Sequence, residues 1–394
     1  MSAQATMLGN QILSFLQENR GEMISYLRNL VLAESPSTDP GSQAEIMGIL
    51  SDSLRTLDYD VEMVPGDKSG GHLVARTASA KTNCSQLIIG HCDTVWPLGT
   101  VKRMPFIYRD GIAKGPGVFD MKGGLTQMVF ALKAIRSIGQ VPALEPILFI
   151  NSDEEIGSFE SEVHIRRFAQ EVDRAFVVEP ALGLSGKLKT ARKGVGQFSI
   201  RIAGKAAHAG LDPGKGASAI RELALVIEAL YAMADPARGV TVNVGIVEGG
   251  IRTNVVAPSS RARVDVRVPT VEQARQMESA IKELAPSLPG VKIEVSGGFR
   301  RLPMEATEDN QQLWKVAKSL GYAIGLDLDH GLAGGGSDGN TTSQYVATLD
   351  GLGPVGDGAH ADHEFIFVDK LIERCGLLAL LILAPEEGIS TERS

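Results

Sequence analysis

The run PILFINSDEEIGS (residues 146–158) joins two features that rarely meet. Pro146 to Ile150 are apolar and have the composition of a buried strand. The carboxylates of Asp153, Glu154 and Glu155 follow directly, where that strand ends. Carboxylates near a core are costly unless they are paired or bind a metal, and the run contains no Lys or Arg. The neutralising cation must come from elsewhere in the fold or from solution.

The flanking sequence repeats the pattern of apolar strand followed by polar turn. QLIIGH (86–91) and RAFVVEP (174–180) read as further strands. Ile46, Leu50, Leu54 and Leu57 recur at helical spacing, and residues 122–139 read as a helix ended by glycine. Strands alternating with helices imply an α/β fold with a mixed, largely parallel sheet covered by helices on both faces. Near residue 190 the pattern changes. Strand-like QFSIRIAG (197–204), a helix over about 216–232, and the alternating strands TVNVGIVEGG (241–250) and SRARVDVRVP (260–269) follow in turn. A helix over 270–285, with Thr270 as its N-cap, and the strand VKIEVSGG (291–298) complete the order β-α-β-β-α-β of a ferredoxin-like α+β domain. Helices over about 309–321 and 369–383 then resume the first pattern. The expected architecture is a discontinuous α/β domain, residues 1–190 and 304–394, with a small α+β domain inserted at 191–303.

Composition narrows the class. Hydrophobic residues are 43% and charged residues 22% of 394, ordinary values for a globular protein long enough for two domains. A net charge of −8 argues against nucleic acid or an anionic membrane as partner. Cys84, Cys92 and Cys375 are few and odd in number, which fits a reducing compartment rather than a disulfide framework. The N-terminus reads as an amphipathic helix without the basic region of a signal peptide, and the apolar run CGLLALLILA (375–384) is too short to span a membrane. A cytoplasmic protein is expected.

Candidate chemistry gathers where strands end: HCDT (91–94), GPGVFDMKGG (115–124), DEE (153–155) and VVEP (177–180). In open α/β sheets these ends converge on the ligand crevice, so His91, Asp93, Asp120, Glu154, Glu155 and Glu179 can meet. Taken singly, each has a bland reading: a surface histidine, a turn or cap aspartate, a salt-bridged glutamate. Together with His360, or its neighbour His363, they supply imidazoles and carboxylates without a cysteine cluster. That donor set suits zinc or a related divalent ion in a hydrolytic site. A carboxylate left free of the metal can serve as general base.

GHCDTV, GPGVFDMKGG, NSDEEIGS, VVEP and GAHADHEFI, in that order, resemble the zinc exopeptidase family of aminoacylases, acetylornithine deacetylases, succinyl-diaminopimelate desuccinylases and glutamate carboxypeptidases. HCDTVWPLGT, DEEIGS and GGGSDGN (334–340) look most like the glutamate carboxypeptidase branch. The resemblance implies two Zn²⁺ per subunit, with Co²⁺ or Mn²⁺ as alternatives. His91 and Glu179 would hold one ion, Glu155 and His360 the other, and Asp120 would bridge them. It selects His360 over His363, and Glu364 matches an acidic position of the family. Glu154 would be the general base acting on a water shared by the metals, and Asp93 would orient His91.

The resemblance further makes the inserted domain a lid and dimerisation domain. There His208, in GKAAHAG (204–210), would steady the oxyanion in the partner subunit's site. Asn254, Arg267, Gly335 and Gly336 would bind substrate. The implied reaction is cleavage of a C-terminal amino acid, foremost glutamate, from a peptide, folate-like or N-acyl substrate with a free carboxylate. Deacylation of N-acyl amino acids or of an acetylornithine-type substrate is the alternative, and an inactive metal-binding protein the remote one.

Overall fold

The structure is a computed structural model that describes residues 3–78 and 84–385. Its main strands, in chain order, are β1 Tyr59–Val64, β2 His72–Thr77, β3 Ser85–His91, β4 Glu145–Asn151, β5 Arg174–Val177, β6 Gly194–Ala203, β7 Thr241–Gly249, β8 Ser259–Val268, β9 Lys292–Arg301 and β10 Thr348–Leu349. Its longer helices are α1 Ala3–Glu18, α2 Arg20–Leu32, α3 Ala44–Arg55, α4 Gly123–Ser137, α5 Glu162–Glu171, α6 Ala219–Ala232, α7 Val271–Lys282, α8 Glu308–Ala323 and α9 Val368–Leu383. The chain forms two compact units. Unit 1 is Met1–Thr190, Ala306–Leu332 and Ser337–Ser394; unit 2 is Ala191–Glu305 with Ala333–Gly336.

In unit 1 a six-stranded sheet has the order β1-β2-β4-β3-β5-β10. Pairings among β4, β3, β5 and β10 are parallel, whereas β2 is antiparallel to both β1 and β4. The sheet is therefore mixed and largely parallel. Successive side chains of a strand point to opposite faces, and here both faces are dry. Ile88, Leu148, Ile150 and Phe176 join a core shared with α1, α2, α3, α4, α8 and α9. Their neighbours Leu87, Ile89, Ile147, Phe149 and Val177 pack with Ile165 and Phe168 of α5 on the other face. This double burial is why these strands read as continuous apolar runs. Glycine permits one close approach near the strand ends. A Cβ on Gly124, in the first turn of α4, would lie 2.0 Å from the Val178 carbonyl oxygen.

Unit 2 is a four-stranded antiparallel sheet in the order β7-β8-β6-β9. Its two helices are α6 and α7, giving the ferredoxin-like arrangement. Only one face of the sheet is apolar, so the strands alternate: Phe198, Ile200 and Ile202 of β6 and Val264, Val266 and Val268 of β8 meet Leu223, Val226 and Leu230 of α6 and Met277 and Ile281 of α7. Thr270 accepts a hydrogen bond from Gln273 N at 3.2 Å and caps α7. Residues 333–336, placed with the α/β part in the sequence reading, group with unit 2. Arg192 accounts for this locally, donating to the carbonyls of Gly335 and Gly336 at 3.1 and 3.2 Å. Among the described residues, no helix is long and apolar enough to cross a membrane.

Candidate metal centre

The parallel register pairs His91 with Asn151 and Ile89 with Val177, so β3, β4 and β5 end side by side. Each then hands the chain to a polar turn: Asp93 after β3, Asp153 to Glu155 after β4, Glu179 after β5. Asp120 arrives from the turn that precedes α4, where Gly117 takes a left-handed φ of 75°. His360 arrives from the loop between two short strands, Gly356–Asp357 and Phe365–Phe367, which pair with each other. The second of these also pairs with Ile112–Lys114.

Two candidate metal-holding groups result: His91, Asp120 and Glu179, and Asp120, Glu155 and His360, each with its ligand atoms within 4.8 Å of one another. His91 Nε2 lies 3.3 Å from Asp120 Oδ1 and 3.5 Å from Glu179 Oε1. His360 Nε2 lies 3.0 Å from Glu155 Oε2 and 3.5 Å from Asp120 Oδ2. Asp120 thus turns one oxygen toward each imidazole, the disposition of a bridging carboxylate. His363, the rival imidazole, is in neither group.

Buried atoms in the cluster lack hydrogen-bond partners: His91 Nε2, Asp120 Oδ1 and Glu155 Oε1. Buried polar atoms are nearly always satisfied, so these clustered orphans fit a cation held between them. The titration pattern agrees. Burial alone would push the His91 pKa down, but acceptors on Asp120, Asp93 and Glu179 hold it well above the usual imidazole value. Asp120 and Glu155 raise His360 to about 10. Burial pushes Glu155 up to about 7. Despite its burial, Asp120 is held far below the carboxylate range by His360 and His91. Two imidazoles facing several carboxylates form a donor set that fits zinc or a related divalent ion.

Asp93 does more than the sequence reading gave it. His91 Nδ1 lies 3.0 Å from the Asp93 carbonyl oxygen and 3.3 Å from its Oδ1. Both are acceptors, so Nδ1 carries the proton and Nε2 faces the cluster. The same carboxylate also accepts from the backbone N–H groups of Glu154, at 3.2 Å, and Glu155, at 3.1 Å, and from Ser37 Oγ at 2.6 Å. Asp93 therefore ties the turn carrying both glutamates to the strand carrying His91. Glu154 is buried beside this pair.

Ser37 escaped the sequence reading, since nothing in ESPSTDP (34–40) marks it. Asp338 escaped because GGGSDGN was read for its glycines. Its carboxylate accepts from Asn151 Nδ2 and Ser158 Oγ, bracing the turn from the other side.

The remaining candidates lie in unit 2. His208 is exposed, and its Nδ1 accepts from Gly210 N and Leu211 N, each at 3.1 Å. Its neutral form must then carry the proton on Nε2, which makes it an outward donor. Asn254 is also exposed, and its carbonyl takes the N–H of Ala209 at 3.0 Å, so the structure brings the two loops together. Arg267 is forked onto Asp265, with Nε and Nη2 at 2.8 and 3.0 Å from its oxygens. Gly335 and Gly336 have their carbonyls held by Arg192.

Comparison with known proteins adds a second line. Residues 190–290 match the M20 peptidase dimerisation domain. The chain is 26% identical over 400 residues to carboxypeptidase G2 of Pseudomonas sp. (strain RS-16), covering 97% of this chain and 94% of that one. It resembles the structure of aminopeptidase PepT from Bacillus cereus with a TM-score of 0.76 at 23% identity, over 92% of this chain and 98% of that one. It also resembles YXEP of Bacillus subtilis, described as a dinuclear metal binding peptidase from the M20 family, with a TM-score of 0.67 at 14% identity, over 93% and 98% of the two chains.

Proposed function

We propose that this chain, a member of the M20 metallopeptidases, hydrolyses the amide bond that joins a C-terminal amino acid, foremost glutamate, to a peptide, folate-like or N-acyl group. The observation that carries the reading is Asp120, one carboxylate placed between two otherwise separate groups of ligands. The preference for glutamate is supported by the motif likeness to the glutamate carboxypeptidases and by the similarity to carboxypeptidase G2.

His91, Asp120 and Glu179 would hold one divalent ion, and Asp120, Glu155 and His360 a second, zinc first among the candidates. Bound there, the ions would polarise the amide carbonyl and make water acidic near neutral pH. Glu154 takes the proton of the attacking water and returns it to the leaving amine. Asp93 keeps the His91 proton on Nδ1, leaving Nε2 free for the ion. In the partner subunit's site, His208 offers its Nε2–H to the oxygen that becomes negative as the carbonyl is attacked. Asn254, Gly335 and Gly336 serve substrate binding, and Arg267 keeps Nη1 for a substrate carboxylate while Asp265 occupies its other edge. Unit 2 joins two copies as a homodimer.

The test is release of free amino acids from a panel of N-acyl amino acids, dipeptides and folate by zinc-loaded protein, with a chelated control. Chelator-sensitive release of glutamate is expected. Release of a different amino acid would keep the chemistry and change the pocket. No release from any substrate with two ions bound would refute the reading. Glu154→Gln should keep both ions and lose about 10²–10⁴-fold in turnover; unimpaired turnover would remove Glu154 from its role.

A further inference from the structure

We propose that Glu364 is the positioning residue that sets Asp120 between the two groups of ligands and so governs the affinity of both ions at once. The inference rests on the metal-centre reading above. Glu364 is only 1% exposed, and a carboxylate so buried must be answered within the protein. The answer is four N–H groups. Its Oε2 accepts from Trp96 Nε1 at 3.0 Å and Gly117 N at 2.8 Å. Its Oε1 accepts from Phe119 N at 2.9 Å and Asp120 N at 3.0 Å.

The identity of those donors gives the arrangement its meaning. Trp96 belongs to the turn that follows His91 and Asp93. Gly117, Phe119 and Asp120 form the turn that carries the shared carboxylate. Glu364 itself lies four residues beyond His360. Three ligand-bearing segments, separate in sequence, meet at one side chain. With its flanking amides pinned, Asp120 cannot swing toward one imidazole without breaking charge-assisted hydrogen bonds. That constraint keeps Oδ1 toward His91 and Oδ2 toward His360. Such outer partners orient ligands, and their loss typically costs about 10–100-fold in metal affinity. Loss of a brace on a ligand of one ion alone would weaken that ion alone. Loss of a brace on the shared ligand must weaken both.

The experiment uses the full-length protein, Glu364→Gln, and Trp96→Phe, which deletes one donor and leaves the carboxylate. Zn²⁺ is titrated against a competing chelator to give both dissociation constants, and melting of the metal-free proteins is recorded alongside. In Glu364→Gln an amide N–H₂ faces amide donors, so both constants should rise about 10–100-fold. In Trp96→Phe both should rise severalfold. Lower melting with both constants unchanged would make Glu364 a fold residue only and overturn the proposal, as would a change confined to one constant. If Glu364→Gln does not fold, Trp96→Phe decides, and unchanged constants there overturn it. Failure of the wild-type protein to bind two ions would instead strike the underlying metal-centre reading, and is seen before any variant is made.

Discussion

His91 and His360 face carboxylates from several directions, and both are held above the ordinary imidazole pKa. A raised pKa means that the proton is retained at neutral pH when no ion is present. An incoming ion must expel it, because a metal ligand is a neutral imidazole. Binding near pH 7.5 should therefore release protons, and affinity should rise with pH and weaken as pH falls. Calorimetry in buffers of different ionisation enthalpy checks this, and heats that do not depend on the buffer would contradict it. His208 makes a complementary case. With Nδ1 occupied by two backbone donors, it can give a hydrogen bond outward but cannot easily accept one. His208→Ala should leave the metal content intact and cut kcat about 10²–10³-fold, the cost of one oxyanion donor. A loss of bound metal in that variant would show that the histidine does something else.

At the scale of elements, what could be read in the sequence depended on length and burial. β3, β4 and β5 were legible because both faces are buried, leaving uninterrupted apolar runs. The unit 2 strands were legible for the opposite reason, a single buried face and a clean alternation. β1 was not, since its buried Tyr59 is followed by largely exposed residues with no period to follow. The strands Gly356–Asp357 and Phe365–Phe367 have two and three residues, too few to show any period. Yet they deliver His360 and Glu364. The candidate ligands could be listed from the sequence because each follows an apolar run or sits among glycines. Ser37 and Asp338, like the donors that meet Glu364, are joined to the centre only by the folded chain. Local signals at helix starts did carry through. Thr270→Ala should cost about 0.5–2 kcal/mol of stability by stripping the α7 cap. Chemical denaturation would read the loss, and an unchanged midpoint would mean that the helix start is held by other contacts.

Among the described residues, every member of the two candidate metal-holding groups belongs to unit 1. Ions that bind only the folded centre stabilise it by mass action, by about 2.7 kcal/mol for one site at a free-ion concentration 100 times its Kd. Calorimetric scans with and without a chelator should show a metal-dependent transition for unit 1. Melting that ignores metal would place the ions elsewhere. The division of the chain also imposes an order on its making. Unit 2 is nearly contiguous, and all its strands and helices have been made once residue 305 is added. Unit 1 is interrupted: β10 at its sheet edge and α9 in its core come from the last fifty or so residues. His360 lies in that same late stretch. On a ribosome the ferredoxin-like unit can close while its host is still missing an edge strand, a core helix and one imidazole. A nascent chain therefore carries only part of the candidate metal-holding cluster until His360 has emerged.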